Sequence, residues 1–233
     1  MRTRTISLLT ICLVCFGFTA NSQQIMSVTG TVIDQTTRNP VTVNVSFYDK
    51  SNKKIGSSKS NSATGFYLVT GLKQGETYKV QLESPDFFKD ESEIQIPVSK
   101  KYADISRDFT VKPVAKGVRI LLEVSPFELK KTKFRVGAER YLEDIKKLMT
   151  LNPGVFVEVQ SYPDAEGEEA ANTKFTEERA NAIKSYLVAN GVRDARISIK
   201  PSGAVDSVNP PPKHKAAKGK RYIGPIYIVV TKA

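Results

Sequence analysis

The chain has no tryptophan, a single histidine and only two cysteines among its 233 residues. Both cysteines, Cys12 and Cys15, stand in the apolar stretch near the N-terminus, so the rest of the chain has neither a disulfide nor a thiolate at its disposal. Stability must come from packed cores. The histidine, His214, sits in Pro210-Pro211-Pro212-Lys213-His214-Lys215, among cations and with no acid or nucleophile close by in sequence. It reads as a solvated loop residue. No serine elbow, cysteine nucleophile or spaced set of metal ligands occurs. The acidic run Asp164, Glu166, Glu168 and Glu169 around Gly167 lacks the full ligand spacing of a calcium loop. These absences speak against an enzyme and against a metal or other cofactor. Long apolar runs are missing too: past residue 22 no stretch is long enough to cross a bilayer, which takes about 20 residues.

What is present begins with a leader. Arg2 and Arg4 precede the apolar run Ile6 to Phe18, and Ala20-Asn21-Ser22 places small residues at both recognition positions of a cleavage site. Residues 1–22 therefore read as a secretory signal, cut before Gln23. A lipid anchor would need a small residue just ahead of its cysteine, and Ile11 and Val14 stand there instead. The chain is expected in the periplasm, at the outer membrane or cell wall. Its net charge is +11, with 40% hydrophobic and 25% charged residues, which suits a globular protein. A basic exported protein meets anionic wall polymers and lipid headgroups, and no nucleic-acid motif appears.

Residues 27–112 read as all-β. Val28 to Asp34 alternates, as do Val41 to Tyr48, Gly65 to Val69 and Tyr78 to Leu82; Ile94, Ile96, Ile105, Phe109 and Val111 continue the pattern. Turn signals recur every 8–12 residues or so, the rhythm of a β-sandwich of about seven strands. Lys112 to Gly117 is a short linker, with its core at 113–117. After it the apolar period changes. Val118 to Val124 is a strand, and Ala138, Tyr141, Leu142, Ile145, Leu148 and Met149 fall at helical spacing up to Asn152-Pro153-Gly154. Val155, Val157 and Val159 form a second strand. A second helix is expected to start near Thr176, whose hydroxyl would cap it, and to end at Asn190-Gly191. Strands at Arg196–Lys200 and Tyr222–Thr231 follow. The order β-α-β-α-β-β over 118–233 implies a sheet with helices on one side, and the change of period predicts two domains that fold separately.

The stretch Ser161 to Ala180 is the most informative for function. Asp164 follows a strand end and Arg179 lies 15 residues on, in a helix. A carboxylate and a guanidinium facing one pocket suit a zwitterion, the ammonium going to Asp164 and the carboxylate to Arg179. The other reading is that Asp164 and Arg179 pair with each other.

Two resemblances bear on these readings. Gly30-Thr31-Val32-Ile33-Asp34, Pro40-Val41, Gly65-Phe66-Tyr67-Leu68 and Leu72 to Tyr78 resemble the carboxypeptidase regulatory-like module, a transthyretin-like or Ig-like sandwich without an active site of its own. Asp164, Asn172, Phe175-Thr176 and Arg179-Ala180, with Phe127-Glu128 upstream, resemble the OmpA C-terminal, peptidoglycan-associated domain over about residues 118–232. That resemblance implies that Asp164 and Arg179 hold the diaminopimelate of a peptidoglycan stem peptide. It implies that Asn172 orders the loop or adds a hydrogen bond, that Thr176 caps the helix and that Tyr162 borders the site. The family's Gly-His-Thr before the aspartate is Ser161-Tyr162-Pro163 here. Its Asn-Arg-Arg before the last strand is Ile223-Gly224-Pro225, with Lys218, Lys220 and Arg221 as substitute cations. The leader ending Ser22-Gln23-Gln24 and the pairing of modules look like Bacteroidetes envelope proteins, where such architectures serve type IX secretion and gliding. The expected function is an adaptor that grips peptidoglycan while the sandwich docks an envelope partner. The rival is a structural subunit that has lost wall binding. A wall or sugar hydrolase would need a catalytic carboxylate pair that the sequence does not offer.

Overall fold

The computed structural model describes residues 25–99, 104–212 and 221–233. The leader, with Cys12, Cys15 and the expected cut before Gln23, lies outside the described residues, as do Lys213, His214, Lys215, Lys218 and Lys220.

The N-terminal region is mostly β-sheet. Its strands are β1 (Ile25–Asp34), β2 (Asn44–Tyr48), β3 (Lys54–Lys59), β4 (Phe66–Lys73), β5 (Thr77–Ser84), β6 (Phe87–Gln95), β7 (Asp104–Ser106) and β8 (Phe109–Val111). They make two sheets. In one, β1 lies between β4 and the parallel strands β7 and β8; the other runs β3-β2-β5-β6. Alternation along each strand sends Val28, Val32, Val45, Phe47, Tyr67, Val69 and Val80 into a shared core. Gly30 permits the tight return after β7, because a Cβ there would lie 2.0 Å from the Arg107 carbonyl oxygen. Strand β3 has no counterpart in the sequence reading. Its residues, Lys-Ile-Gly-Ser-Ser-Lys, are half-buried or exposed at a sheet edge, so they carry almost no apolar period.

The C-terminal half has β9 (Arg119–Leu121), α1 (Glu139–Leu151), β10 (Phe156–Ser161), α2 (Glu169–Ala189), a single 3-10 turn (Asp194–Arg196), β11 (Ile197–Pro201) and β12 (Ile226–Lys232). This is the β-α-β-α-β-β order. The sheet runs β11-β10-β12-β9, with β10 and β11 parallel and the other pairs antiparallel. Leu142, Ile145 and Met149 of α1 and Ala180, Ile183 and Leu187 of α2 bury against Val157, Val159, Ile228 and Val230. Among the described residues no helix is long and apolar enough to cross a membrane.

Three boundaries differ from expectation. Strand β9 is short, because after Leu122 donates to the Ile226 carbonyl the chain turns away. Strand β12 starts at Ile226 rather than Tyr222: the Pro225 carbonyl still accepts the Tyr162 N–H at 3.1 Å, but before it Gly224 lies close against the carbonyls of Tyr162 and Pro163 and the ladder ends. The largest correction is α2, which begins at Glu169 and not near Thr176. The Glu168 carboxylate accepts from the N–H groups of Ala170 at 3.0 Å and Ala171 at 2.6 Å, capping the helix about two turns earlier.

The linker is bonded to both halves. Val114 N–H donates to the Asp86 carbonyl at 3.0 Å, and Gly117 N–H donates to that of Val230 at 2.8 Å. Phe88 and Val114 bury with the C-terminal core. The Asn152 side chain acts as a second backbone toward Lys89: its Oδ1 accepts from Lys89 N–H at 2.9 Å and its Nδ2 donates to Lys89 O at 3.0 Å. Lys147 adds an ion pair to Asp90 at 2.7 Å.

Candidate functional site

Asp164 follows β10 by a short loop, and Arg179 projects from well inside α2. The fold brings them into a two-pronged pair, with Nη1 to Oδ1 at 2.6 Å and Nη2 to Oδ2 at 3.0 Å. Backbone groups complete the carboxylate. Lys130 N–H donates to Oδ2 at 2.6 Å and Gly224 N–H donates to Oδ1 at 2.8 Å. Position 224 must be glycine for this approach, since a Cβ there would meet the Tyr162 carbonyl oxygen at 2.0 Å. On the other side Arg179 Nε donates to Lys131 O at 2.9 Å and Nη2 donates to Glu128 O at 3.0 Å. The guanidinium lies 4.2 Å from the ring centre of Phe175 and 5.1 Å from that of Phe127. Arg179 is 0% exposed. Of the five N–H donors of a guanidinium, these bonds use all but one on Nη1.

The turn Glu128–Lys131 closes the pair from outside. Lys131 N–H donates to the Glu128 carbonyl at 3.1 Å, and Lys130 takes a left-handed φ of 58°. The side chains of Glu128 and Lys131 pair across it. That hydrogen bond, then the charge of Lys131 and the more distant Arg135 and Arg221, hold the Glu128 carboxyl below its usual pKa. The turn thus presents one N–H to Asp164 and two carbonyl oxygens to Arg179. An ammonium and a carboxylate would present the same complement. Beside it opens a cleft of about 380 Å³ whose walls include Leu121, Val124, Arg135, Arg221 and Tyr222, and which reaches Gly224.

Residues 127–221, the segment that holds this pair, match the family model described as OmpA family. They form an OmpA-like domain. Among curated relatives, a photosystem I chlorophyll a apoprotein of Gloeobacter violaceus is 32% identical over 104 residues, 44% of this chain and 12% of that protein. Outer membrane porin F of Pseudomonas fluorescens is 33% identical over 86 residues, 37% of this chain and 26% of that protein. The chain therefore spans about an eighth and a quarter of those relatives. Among solved structures, the peptidoglycan-associated lipoprotein of Burkholderia pseudomallei is similar at 16% identity and a TM-score of 0.36, over 45% of this chain and 86% of that one.

Within the OmpA-like domain the other expected residues fall in different places. Asn172 ties the acidic loop to the chain after β11, its Nδ2 donating toward Ala165 O at 3.3 Å and Gly203 O at 3.1 Å. Thr176 does not cap α2. It is buried in the helix interior, where its Oγ1 lies 3.0 Å from Ser202 O and accepts from Ser202 N–H at 3.1 Å. Tyr162 points to the opposite face of the sheet from Arg179. Its hydroxyl accepts from Arg119 Nη2 at 3.3 Å and its ring meets Tyr227 edge-on at 5.9 Å. Among the described residues no group of three or more His, Cys, Asp or Glu side chains that could hold a metal ion comes together.

Sequence reasoning missed the backbone half of the site, namely the groups of Glu128, Lys130, Lys131 and Gly224. Phe127-Glu128 was the only hint that this turn takes part. It also missed a network on the open face of the sheet. There the Tyr227 hydroxyl donates to Asp206 at 2.5 Å and accepts from Asn209 Nδ2 at 2.6 Å, while the Tyr222 hydroxyl donates to Asn209 O at 2.7 Å. Burial, followed by the charge of Asp206, pushes the Tyr222 phenol up to about 12. The network pins the loop after β11, with the Asp206 carboxylate also accepting from the N–H groups of Val208 and Asn209.

Proposed function

We propose that the OmpA-like domain binds peptidoglycan non-covalently, holding the diaminopimelate of the stem peptide, and that the chain is a periplasmic adaptor whose N-terminal region docks an envelope partner. The observation that carries this reading is the convergence of Asp164 and Arg179, in the segment that matches the OmpA family model, into one two-pronged pair. In this reading the ligand ammonium takes the place of Lys130 N–H on Asp164, and the ligand carboxylate takes the place of the Glu128 and Lys131 carbonyls on Arg179. The exchange is charge-neutral, which limits the desolvation cost of seating a zwitterion. The Glu128–Lys131 turn moves aside when the ligand enters, and Asn172 keeps the acidic loop in place. An outer-membrane porin among the relatives agrees with a place in the envelope. No catalytic or cofactor role is proposed.

One observation favours the rival, a structural subunit without wall affinity. Arg179 is 0% exposed and its donors are almost all spent within the chain. Co-sedimentation with diaminopimelate-type peptidoglycan at low and high salt separates the two. Wall binding predicts that the chain sediments at both salts. It also predicts that Asp164→Asn, checked as folded by circular dichroism, loses at least about tenfold in affinity, the usual result of removing one member of a desolvated charge pair. A chain that stays in the supernatant at high salt is the structural subunit. Retention that responds to Lys213→Ala and Lys215→Ala rather than to Asp164→Asn is charge alone.

A further inference from the structure

We propose that the free edge of β9 is a docking site for an extended acidic peptide segment of a partner protein, taken up as an added strand. The ladder shows which backbone groups are open. Val230 N–H donates to Val118 O and Leu122 N–H donates to Ile226 O, both at 2.9 Å, and Ile120 stands opposite Ile228. Residues 118, 120 and 122 thus turn their N–H and C=O groups toward β12, and antiparallel alternation turns those of Arg119 and Leu121 outward. β9 ends the sheet order, so among the described residues no neighbouring strand takes them up.

The edges at β4, β6 and β11 are closed or guarded. The outer side of β4 meets β3, with Leu68 N–H reaching Ser58 Oγ at 3.4 Å. β6 is bonded to Lys112 and Asn152. β11 ends in Pro201, which cannot donate to an added strand. β9 has neither a proline nor a bulge, and it leads into two exposed aliphatics, Leu121 at 41% and Val124 at 42%.

A cleft lies on each side of this edge. The cleft of about 380 Å³ is on the open-face side, and one of about 260 Å³ on the helix side is lined by Ile120, Leu122, Arg140, Tyr141 and Ile145. An added strand projects alternate side chains to opposite faces, so it would fill both. Five cations surround the edge: Lys112 and Arg140 at one cleft, Arg135 and Arg221 at the other, and Arg119 on the strand itself. Glu123 and Asp144 are the acids among the cleft-lining residues. No ion-pair partner occurs for any of the five cations among the described residues. An extended peptide rich in Asp or Glu is the complement of that field.

The test uses the whole chain and a fluorescent synthetic peptide that alternates valine with glutamate, read by anisotropy. Its controls are the same peptide with lysine for glutamate, and the acidic peptide N-methylated at every second residue in each of the two phases. Saturable binding of the acidic peptide, none of the lysine peptide, and loss in one N-methylation phase are expected. Leu121→Pro removes an outward N–H without touching the bonds to β12, and should weaken binding severalfold, up to about tenfold, the worth of one ladder bond. N-methylation reads the same bonds from the peptide side, so the test stands even if Leu121→Pro fails to fold. No binding, binding indifferent to N-methylation in both phases, or a dimer of this chain that Leu121→Pro abolishes would each overturn the proposal.

Discussion

The two halves bury their polar groups differently. Among the described residues of the N-terminal region the buried polar side chains are Ser27, Asp34, Ser46, Ser60 and Gln81, with no cation among them. The bonds of Asp34, Ser60 and Gln81 stay within the sheets and turns. Ser60 Oγ, for example, donates to Val41 O at 2.6 Å and accepts from Val43 N–H at 2.8 Å. The C-terminal half buries two guanidiniums, Arg179 and Arg196, each joining segments far apart in sequence. Sheets facing each other satisfy their backbones by pairing. A sheet covered by helices leaves helix ends and loops to be tied down, and long forked side chains do that work.

The two arginines also differ from each other. Arg196 has only neutral acceptors: Nε donates to Val155 O at 2.9 Å, and Nη2 donates to Met149 O at 3.0 Å and Asn152 O at 2.7 Å. It closes the carbonyl end of α1, where a cation is favoured, and burial lowers its pKa. Arg179 brings a carboxylate with it. Arg196 is a fixed brace, whereas the groups around Arg179 are ones that, in the proposed reading, a zwitterion would replace.

The largest expected effect breaks the Arg179 pair. Arg179→Ala leaves Asp164 a buried carboxylate without its cation and should cost about 3–5 kcal/mol in urea unfolding. Arg179→Met with Asp164→Leu should regain most of that loss, because removing both charges removes the desolvation cost as well. Should Arg179→Ala prove as stable as the parent, the pair is not the clasp described above. Next, Arg196→Met strips bonds from neutral carbonyls alone and should cost about 1–3 kcal/mol. It should leave peptidoglycan retention of the folded protein unchanged; a loss of retention would erase the distinction between brace and exchangeable pair.

Asn152→Ala tests the seam between the halves. It removes the two bonds to the Lys89 backbone, worth about 1 kcal/mol together once water replaces them; if the seam couples the halves, the parent should unfold in one transition by calorimetry and the variant in two. A piece that starts at residue 118 would also leave the C-terminal core without Phe88 and Val114.

The smallest effect is alkaline. Burial raises the Tyr222 phenol to about 12, against roughly 10 for an unfolded tyrosine. A raised folded pKa contributes stability that is complete below about pH 10 and is lost as pH climbs toward the folded value. A shallow fall in melting temperature above pH 10 is expected, and Tyr222→Phe should flatten it. An unchanged fall in that variant would assign the limb to other groups, among them Tyr227, which burial and Asp206 also shift upward.

Much was legible from residue pattern. The apolar spacing from Ala138 to Met149 marks α1, which spans Glu139–Leu151, and the alternation of Val157 and Val159 marks the buried face of β10. That Asp164 and Arg179 belong to one site comes from the resemblance to the OmpA C-terminal domain; the helix and strand signals are of another kind. These are local signals: a helix or strand repeats its environment at a fixed period, so the residues record which face is buried. The tertiary structure alone decided that Asp164 and Arg179 bond to each other, that the Glu128–Lys131 turn seals them, that Tyr162 faces away, that α2 starts at Glu169 and that β3 exists at all. The pair and the direction of Tyr162 turn on side chains that meet across the fold, and the start of α2 on the Glu168 carboxylate; the seal and β3 turn on backbone N–H and carbonyl groups meeting partners distant in sequence. Every residue but proline carries both groups, so the sequence leaves no mark of which ones meet.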